Sequence, residues 1–462
     1  MTSDPNATER AVSTPRRHAP SIPTRFDSEL FDRLLTAAAI DYTGTHCVVS
    51  FAGRVDADRL VRAVSLILHA EPILACRWTE HWFRPFWRRR DTVDATDFCE
   101  VRDSSTCRFE DFIAVPPDFP VRVLLLRGDS DLLCIKLDHR AGDGAAVRDY
   151  AYLLADIYSR LGDDPDYVPP PNLDSRRGMQ QLRERFGLRE TLRICRQSVR
   201  LMRRRGRPSG TWTFPLPQNE ALESAHLRLE TDRVRAILQY ALRRRTTLSQ
   251  VLVAALFLAV CHARPQSSDR PLPVRVLVDL RRYLPAKRAA GLCNLYGFAV
   301  VSIDPRSAHS LDDVVKQVRD QMVEAQRSRY LGLPISFFAV EGPPVIRHVV
   351  ELIPYWFLKR AAQRSQRRSA SSPGRDVTGQ VLFTDLGEFE PDRLIFAGAD
   401  IADAFATGGV FKEMTTSRGW AGGGSFGMAA SRFRGSLTLS LGYGTRDFLT
   451  GLREDLLRIL PA

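Results

Sequence analysis

Short apolar runs alternate with amphipathic stretches on both sides of a triple proline, Pro169-Pro170-Pro171, and this alternation constrains the fold more than any other feature. Runs of five to eight apolar residues suit strands, whereas apolar residues recurring every three to four positions suit helices. Before the prolines, His46 to Phe51, Ile73 to Trp78, Val121 to Leu126 and Leu132 to Leu137 predict strands. Asp56 to Ala70 predicts a helix. A second helix opens at Asp143, with Val147, Ala151, Leu154, Tyr158 and Leu161 on one stripe and Tyr150 and Ile157 beside it. It breaks at Pro165. After the prolines, strands are predicted at His226 to Leu229, Val274 to Leu280, Tyr296 to Ile303, Gln380 to Phe383 and Leu437 to Tyr443. Helices are predicted over Asp232 to Arg245, Leu248 to His262, Leu311 to Arg327 and Phe448 to Leu460. Such alternation favours α/β lobes over an all-α or all-β build, and 462 residues exceed what one core comfortably holds. The expected division is a disordered leader over 1–25, an N-terminal lobe over 26–171, an Arg-rich helical linker over 172–210 and a C-terminal lobe over 211–462.

Between the strand Leu132 to Leu137 and the helix from Asp143 lies His139-Arg-Ala-Gly-Asp143-Gly144, an H-x-x-x-D-G motif. A histidine projecting from a strand end into a turn is partly exposed and free to exchange protons near neutral pH. Asp143 can cap the helix and pair with an arginine. Gly142 and Gly144 permit backbone angles that other residues resist. The bland alternative is a surface histidine beside an ordinary N-cap, and the strand–motif–helix context weighs against it.

In this motif and its context the chain resembles the chloramphenicol-acetyltransferase-like superfamily. That group includes nonribosomal peptide condensation domains, plant BAHD acyltransferases, wax ester synthases and alcohol acetyltransferases. The resemblance implies two similar α/β lobes around a central tunnel, entered from opposite faces by thioester donor and acceptor. Val278 to Pro285 followed by Gly291 to Asn294 is similar to the segment that brings an arginine to the motif aspartate. By that similarity Arg281 or Arg282 pairs with Asp143, and Asn294 shapes the second lobe near the tunnel. Phe383 to Gly387 resembles the strand facing the histidine, where the Thr384 hydroxyl would serve a developing oxyanion. The common double histidine is here Asp138-His139. The Asp138 carboxylate would raise the pKa of His139 if the side chains lie close, whereas strand alternation would point them apart. The BAHD D-F-G-W-G signature is absent, since Leu394 to Gly398 reads L-I-F-A-G.

The resemblance implies acyl transfer from a CoA or phosphopantetheinyl carrier-protein thioester, as substrate rather than bound cofactor, to an alcohol or amine. His139 would be the general base. One alternative is a catalytically degenerate condensation-like domain that binds a carrier protein or acyl chain; another is a membrane-peripheral lipid acyltransferase. No metal is expected. The eight cysteines contain no C-x-x-C pair and suit a reducing cytoplasm better than a disulfide framework or a zinc site. The first residues carry no apolar segment of a secretory signal, and no run of eighteen apolar residues occurs anywhere.

The net charge of +12 favours anionic partners, although only five of the 66 basic residues are lysine. Arg176 to Arg207 carries twelve arginines against two glutamates, with Leu182, Phe186, Leu192, Val199 and Leu201 as a partial apolar face. It reads as a solvated helix between lobes or a surface for an acidic carrier protein or anionic membrane. Nucleic-acid binding finds no aromatic interleaving to support it. Ile353 to Arg368 mixes Tyr355, Trp356, Phe357 and Leu358 with basic residues and suits a membrane interface better. Gly422 to Gly427 matches both G-x-G-x-x-G and, from Gly423, G-x-S-x-G, but a β-like stretch follows where either motif needs a helix. Thr415-Thr416-Ser417 resembles the hydroxyl triplet of carnitine acyltransferases.

Overall fold

The computed structural model describes residues 22–37, 44–114, 119–174, 176–205, 210–214, 223–266, 268–327, 330–333, 352–370, 377–408 and 426–462. Two mixed sheets carry the α/β architecture. The first has five strands in the order Ile401–Gly408, Gly44–Phe51, Leu132–Asp138, Val121–Arg127, Cys99–Asp103, antiparallel except for the last pair. Alternate residues of these strands, Cys47, Val49, Leu133, Ile135 and Leu137 among them, pack against the helices Ala57–Ala70 and Gly144–Asp163. Asp56 caps the first of these helices through the Arg59 amide, and every member of the predicted Val147–Leu161 stripe is buried in the second.

The second sheet runs Tyr296–Ile303, Leu272–Asp279, Val381–Glu388, Phe426–Phe433, Ser436–Gly444, Glu223–Leu229. Leu248–Ala263 lies behind it, buried from Leu248 to Val260 except for Ser249, and opened by a capping box between Thr247 and Gln250. Its apolar surface on all sides is what a helix fully enclosed by other elements requires.

Several expectations need correction. Ile73 to Trp78 is not one strand: Pro72–Ala75 forms a 3-10 turn and the strand is Cys76–Thr79. The fixed φ of Pro72 suits the first position of such a turn. Ile401–Gly408 escaped prediction because I-A-D-A-F-A-T-G is poor in β-branched residues. It nevertheless joins the first sheet, pairing Ala404 with Val49 and Ala406 with Cys47, so a segment from the second half completes the first core. In the Arg-rich segment the helices are Gln180–Arg185 and Leu188–Arg205. Leu182 is buried, but Leu192 and Val199 are exposed, and Ile194 and Ser198 turn inward instead. The Thr415 triplet and most of Gly422 to Gly427 lie outside the described residues; the strand from Phe426 begins within the latter pattern.

On the other face of the first sheet, His46 is buried with neither ring nitrogen hydrogen-bonded, and the half-buried His226 packs against Phe405. Burial, then Lys136 and His226, push His46 down to about 3; burial pushes His226 down to about 4, against the opposing pull of Glu110. Both histidines therefore fold neutral. A group whose folded pKa is depressed below the ordinary 6.5 binds fewer protons than the unfolded chain, so stability falls with pH below 6.5. Replacing His46 by leucine removes one such group. The stability advantage of the variant over the parent is expected to grow by up to about 1.4 kcal/mol per pH unit from pH 6.5 toward 4. Urea titrations at pH 7 and pH 5 measure it, and an advantage that does not change with pH would contradict it.

Candidate active site

The strand Leu132–Asp138 ends in a tight turn: the Asp138 carbonyl accepts from the Ala141 amide at 2.8 Å and the Gly142 amide at 3.1 Å. Neither Gly142 nor Gly144 takes positive φ, contrary to the expectation that unusual backbone angles require them. Space requires them instead. A Cβ on Gly142 would meet Ala146 Cβ at 2.5 Å and Leu137 Cδ2 at 2.8 Å, and one on Gly144 would overlap Leu386.

Asp143 caps the helix Gly144–Asp163 with one carboxylate oxygen, which accepts from the Ala146 amide at 2.9 Å. Its other oxygen crosses to the second half of the chain, accepting from Arg281 Nη1 at 3.0 Å and the Leu295 amide at 2.8 Å. Arg281 in turn donates from Nη2 to the Cys293 carbonyl at 2.8 Å. The alternation of the strand Leu272–Asp279 ends where Asp279 accepts from the Arg281 amide, and the resulting 3-10 turn aims Arg281 inward. Arg282 is exposed and lies over Tyr283. Arg281 is thus the partner of Asp143, and Arg282 is not. Burial pushes the Asp143 carboxyl up, but the Arg281 guanidinium and the two amides outweigh it and hold it below the usual carboxylate range.

His139 is 6% exposed, more enclosed than a strand-end histidine was expected to be. The closure comes from far along the chain. Asn294 Nδ2 donates to the His139 carbonyl at 2.6 Å and the Arg140 carbonyl at 3.3 Å, while the Tyr296 ring lies 5.9 Å from the imidazole. Nδ1 has no partner in hydrogen-bond geometry. Burial lowers the His139 pKa, and the opposing pull of Asp143, of the residue's own carbonyl and of Asp138 does not restore it, so the ring is neutral at pH 7. Asp138 itself is engaged by Arg140, whose Nε and Nη2 reach its carboxylate at 3.0 and 2.6 Å. Asp138 still pulls the imidazole pKa upward, but burial of the ring outweighs it.

Two residues escaped the sequence reading. Arg177, inside the segment expected to be solvated, is buried: it pairs with Asp32 at 3.2 Å and donates to the Arg140 and Ala141 carbonyls at 3.3 and 3.2 Å. The arginines around it masked it, since composition does not distinguish one inward member of a charged run. Tyr296 read as the first residue of a strand, and only Asn294 two positions earlier hinted at its place. Phe31, Asp32, Arg177, Met179, Asn294 and Tyr296 line a small cleft beside the motif. Asn294 Oδ1 is buried there without a partner. Thr384 is half-buried in the second sheet, in register with Leu277 and Ala429, two residues before the Leu386 that packs on Gly144.

Residues 218–337, which include Arg281, Asn294 and Tyr296, match the family described as phthiocerol/phthiodiolone dimycocerosyl transferase C-terminus. No curated protein sequence is similar enough to count as a relative. Among solved structures, polyketide synthase associated protein 5 from Mycobacterium tuberculosis superposes with a TM-score of 0.60 at 16% identity, covering 95% of this chain and 98% of that one. The first condensation domain of the CDA synthetase gives 0.63 at 15% identity, over 95% and 96% of the two chains. A trichothecene 15-O-acetyltransferase from Fusarium sporotrichioides gives 0.63 at 13%, over 94% and 96%. The chain thus has the two-lobed fold of these acyltransferases and condensation domains, and its residues 218–337 are similar to the C-terminal part of the dimycocerosyl transferases.

Proposed function

We propose that the protein transfers an acyl group from a CoA or carrier-protein thioester to a hydroxyl or amine, with His139 as general base. The observation that carries this reading is the neutral imidazole, held by its main chain to Asn294 beside a cleft and backed by the Asp143–Arg281 pair. A neutral ring takes the acceptor proton as the oxygen or nitrogen attacks the thioester carbonyl. When the carbon–sulfur bond breaks, the imidazolium returns that proton to the departing thiolate, so the base is restored within one cycle. Asp143 and Arg281 act as positioning residues: their bond spans both halves of the chain and sets the loop from which His139 projects. Thr384 is the hydroxyl assigned to the developing oxyanion.

The test is acceptor-dependent release of free thiol, measured with acyl-CoAs of increasing length and with an acylated carrier protein, against a panel of alcohols and amines. Release that rises with one acceptor class supports transfer and names that class. Binding of acylated carrier without release under any acceptor would instead make the protein a non-catalytic condensation-like domain.

A further inference from the structure

The helix Tyr355–Ala370 packs one face against the helix Leu30–Ala37: Tyr355 and Ala362 are buried with Ala37, and Leu358 packs beside them. The opposite face carries Trp356, Arg360 and Arg364 at successive intervals of four, one stripe along the helix. At its N-terminal end a second element adds to this stripe. The Trp356 amide donates to the Trp82 carbonyl and the Tyr355 amide to the Phe83 carbonyl, both at 3.0 Å, which anchors the loop before the strand Phe86–Arg89 beside the helix. Trp82 is 64% exposed, Phe357 51%, Trp356 42% and Leu352 64%. Trp82, Trp356 and Phe357, from two separate segments, therefore face solvent as neighbours, with Leu352 exposed three residues before the helix, where isolated apolar side chains would need no explanation.

Charge surrounds this knob. The Arg360 guanidinium lies 5.4 Å from the Trp356 ring and that of Arg84 5.7 Å from Phe83. Glu80, the carboxylate bonded to this helix, is neutralised by Lys359 at 2.7 Å. Exposed tryptophan flanked by arginine is the chemistry of a headgroup interface: the ring body enters the acyl boundary, the indole N–H stays hydrated, and guanidinium groups meet phosphate. Leu188–Arg205 is more basic and contains no aromatic residue, and among its described side chains the exposed large apolar ones are Leu192 and Val199. We propose that the face formed by Trp82 and the outer side of Tyr355–Ala370 docks on an anionic lipid bilayer. The helix Leu30–Ala37 beneath it also supplies Phe31 and Asp32 to the cleft beside His139, so the proposed docking helix packs directly on an element that lines that cleft.

The test is co-sedimentation of the full chain with phosphatidylcholine vesicles, alone or with about 30 mol % phosphatidylglycerol. Binding to the anionic vesicles only, weakened at high salt, is expected. The variants Trp82→Ala/Trp356→Ala/Phe357→Ala and Arg360→Glu/Arg364→Glu should each lower partitioning by at least about tenfold, with melting temperatures near that of the parent because the altered side chains are exposed. Failure of the parent to bind anionic vesicles at low salt would overturn the proposal, as would parent-like binding by the aromatic variant. A dimer seen by light scattering that the aromatic variant dissolves would overturn it in favour of self-association. None of these readings depends on acyl transfer, so they stand or fall apart from the proposed activity.

Discussion

Replacing His139 by alanine is expected to lower acceptor-dependent thiol release by about 10²–10⁴-fold, the contribution of a positioned general base. The fold should survive. The ring makes no hydrogen bond through Nδ1, so its removal strands no partner there, and the loss of packing against Tyr296 should cost on the order of 1 kcal/mol. The hydrogen bond that locks the loop runs from Asn294 to the main-chain carbonyl, which alanine retains. Retention of more than about a tenth of parental turnover in a folded variant would remove His139 from the chemistry. The pH profile supplies a second readout. Because burial depresses the pKa below 6.5, the acid limb of kcat/KM is expected below pH 6.5, with activity rising as the ring deprotonates. A limb above that value would mean that the ring is solvated or paired with a carboxylate in the working enzyme.

The second large effect is expected at the pair that joins the two halves. Asp143→Ala removes a helix N-cap, worth about 0.5–2 kcal/mol. It also leaves the Arg281 charge buried, with Asp279 at 3.3 Å and Asp149 at 3.8 Å as weaker substitutes. Breaking a buried pair in this way typically costs about 3–5 kcal/mol, so the single variant should be markedly unstable. Arg281→Met in the Asp143→Ala background should cost far less than Arg281→Met alone, because the stranded charge is then gone. A coupling of about 0.5–3 kcal/mol is expected from denaturant titration of the four proteins. Strict additivity would show that the two side chains do not support each other. Arg282→Met, its exposed neighbour, is the control and should leave stability within about 0.5 kcal/mol of the parent.

The elements that sequence alone determined are those whose cause is local. The helix after Asp143 could be read because an acceptor side chain at the cap and a stripe at helical spacing are both encoded within twenty residues. The helix Leu248–Ala263 was legible from its unbroken apolar run, and the motif itself from its place between strand and helix. The alternatives left open were those that local pattern cannot decide. Arg281 and Arg282 are chemically equivalent neighbours, and only the 3-10 turn set by Asp279 directs the first inward. Arg177 is one arginine among twelve until Asp32 and the motif carbonyls surround it. The strand Ile401–Gly408 has weak intrinsic β propensity and forms because Gly44–Phe51 offers it an edge and a buried face.

Above all, the state of His139 was decided in three dimensions. Its closure by Asn294 spans 155 residues of sequence, and the Asp143–Arg281 bond spans 138. Sequence placed a carboxylate, Asp138, next to the histidine and left open whether it would lie close enough to raise the pKa or point away along the strand. Tertiary structure diverted that carboxylate to Arg140 and enclosed the ring. Desolvation then exceeds the remaining attraction of the nearby carboxylates, because removing water penalises the charged imidazolium more than partly neutralised carboxylates can compensate.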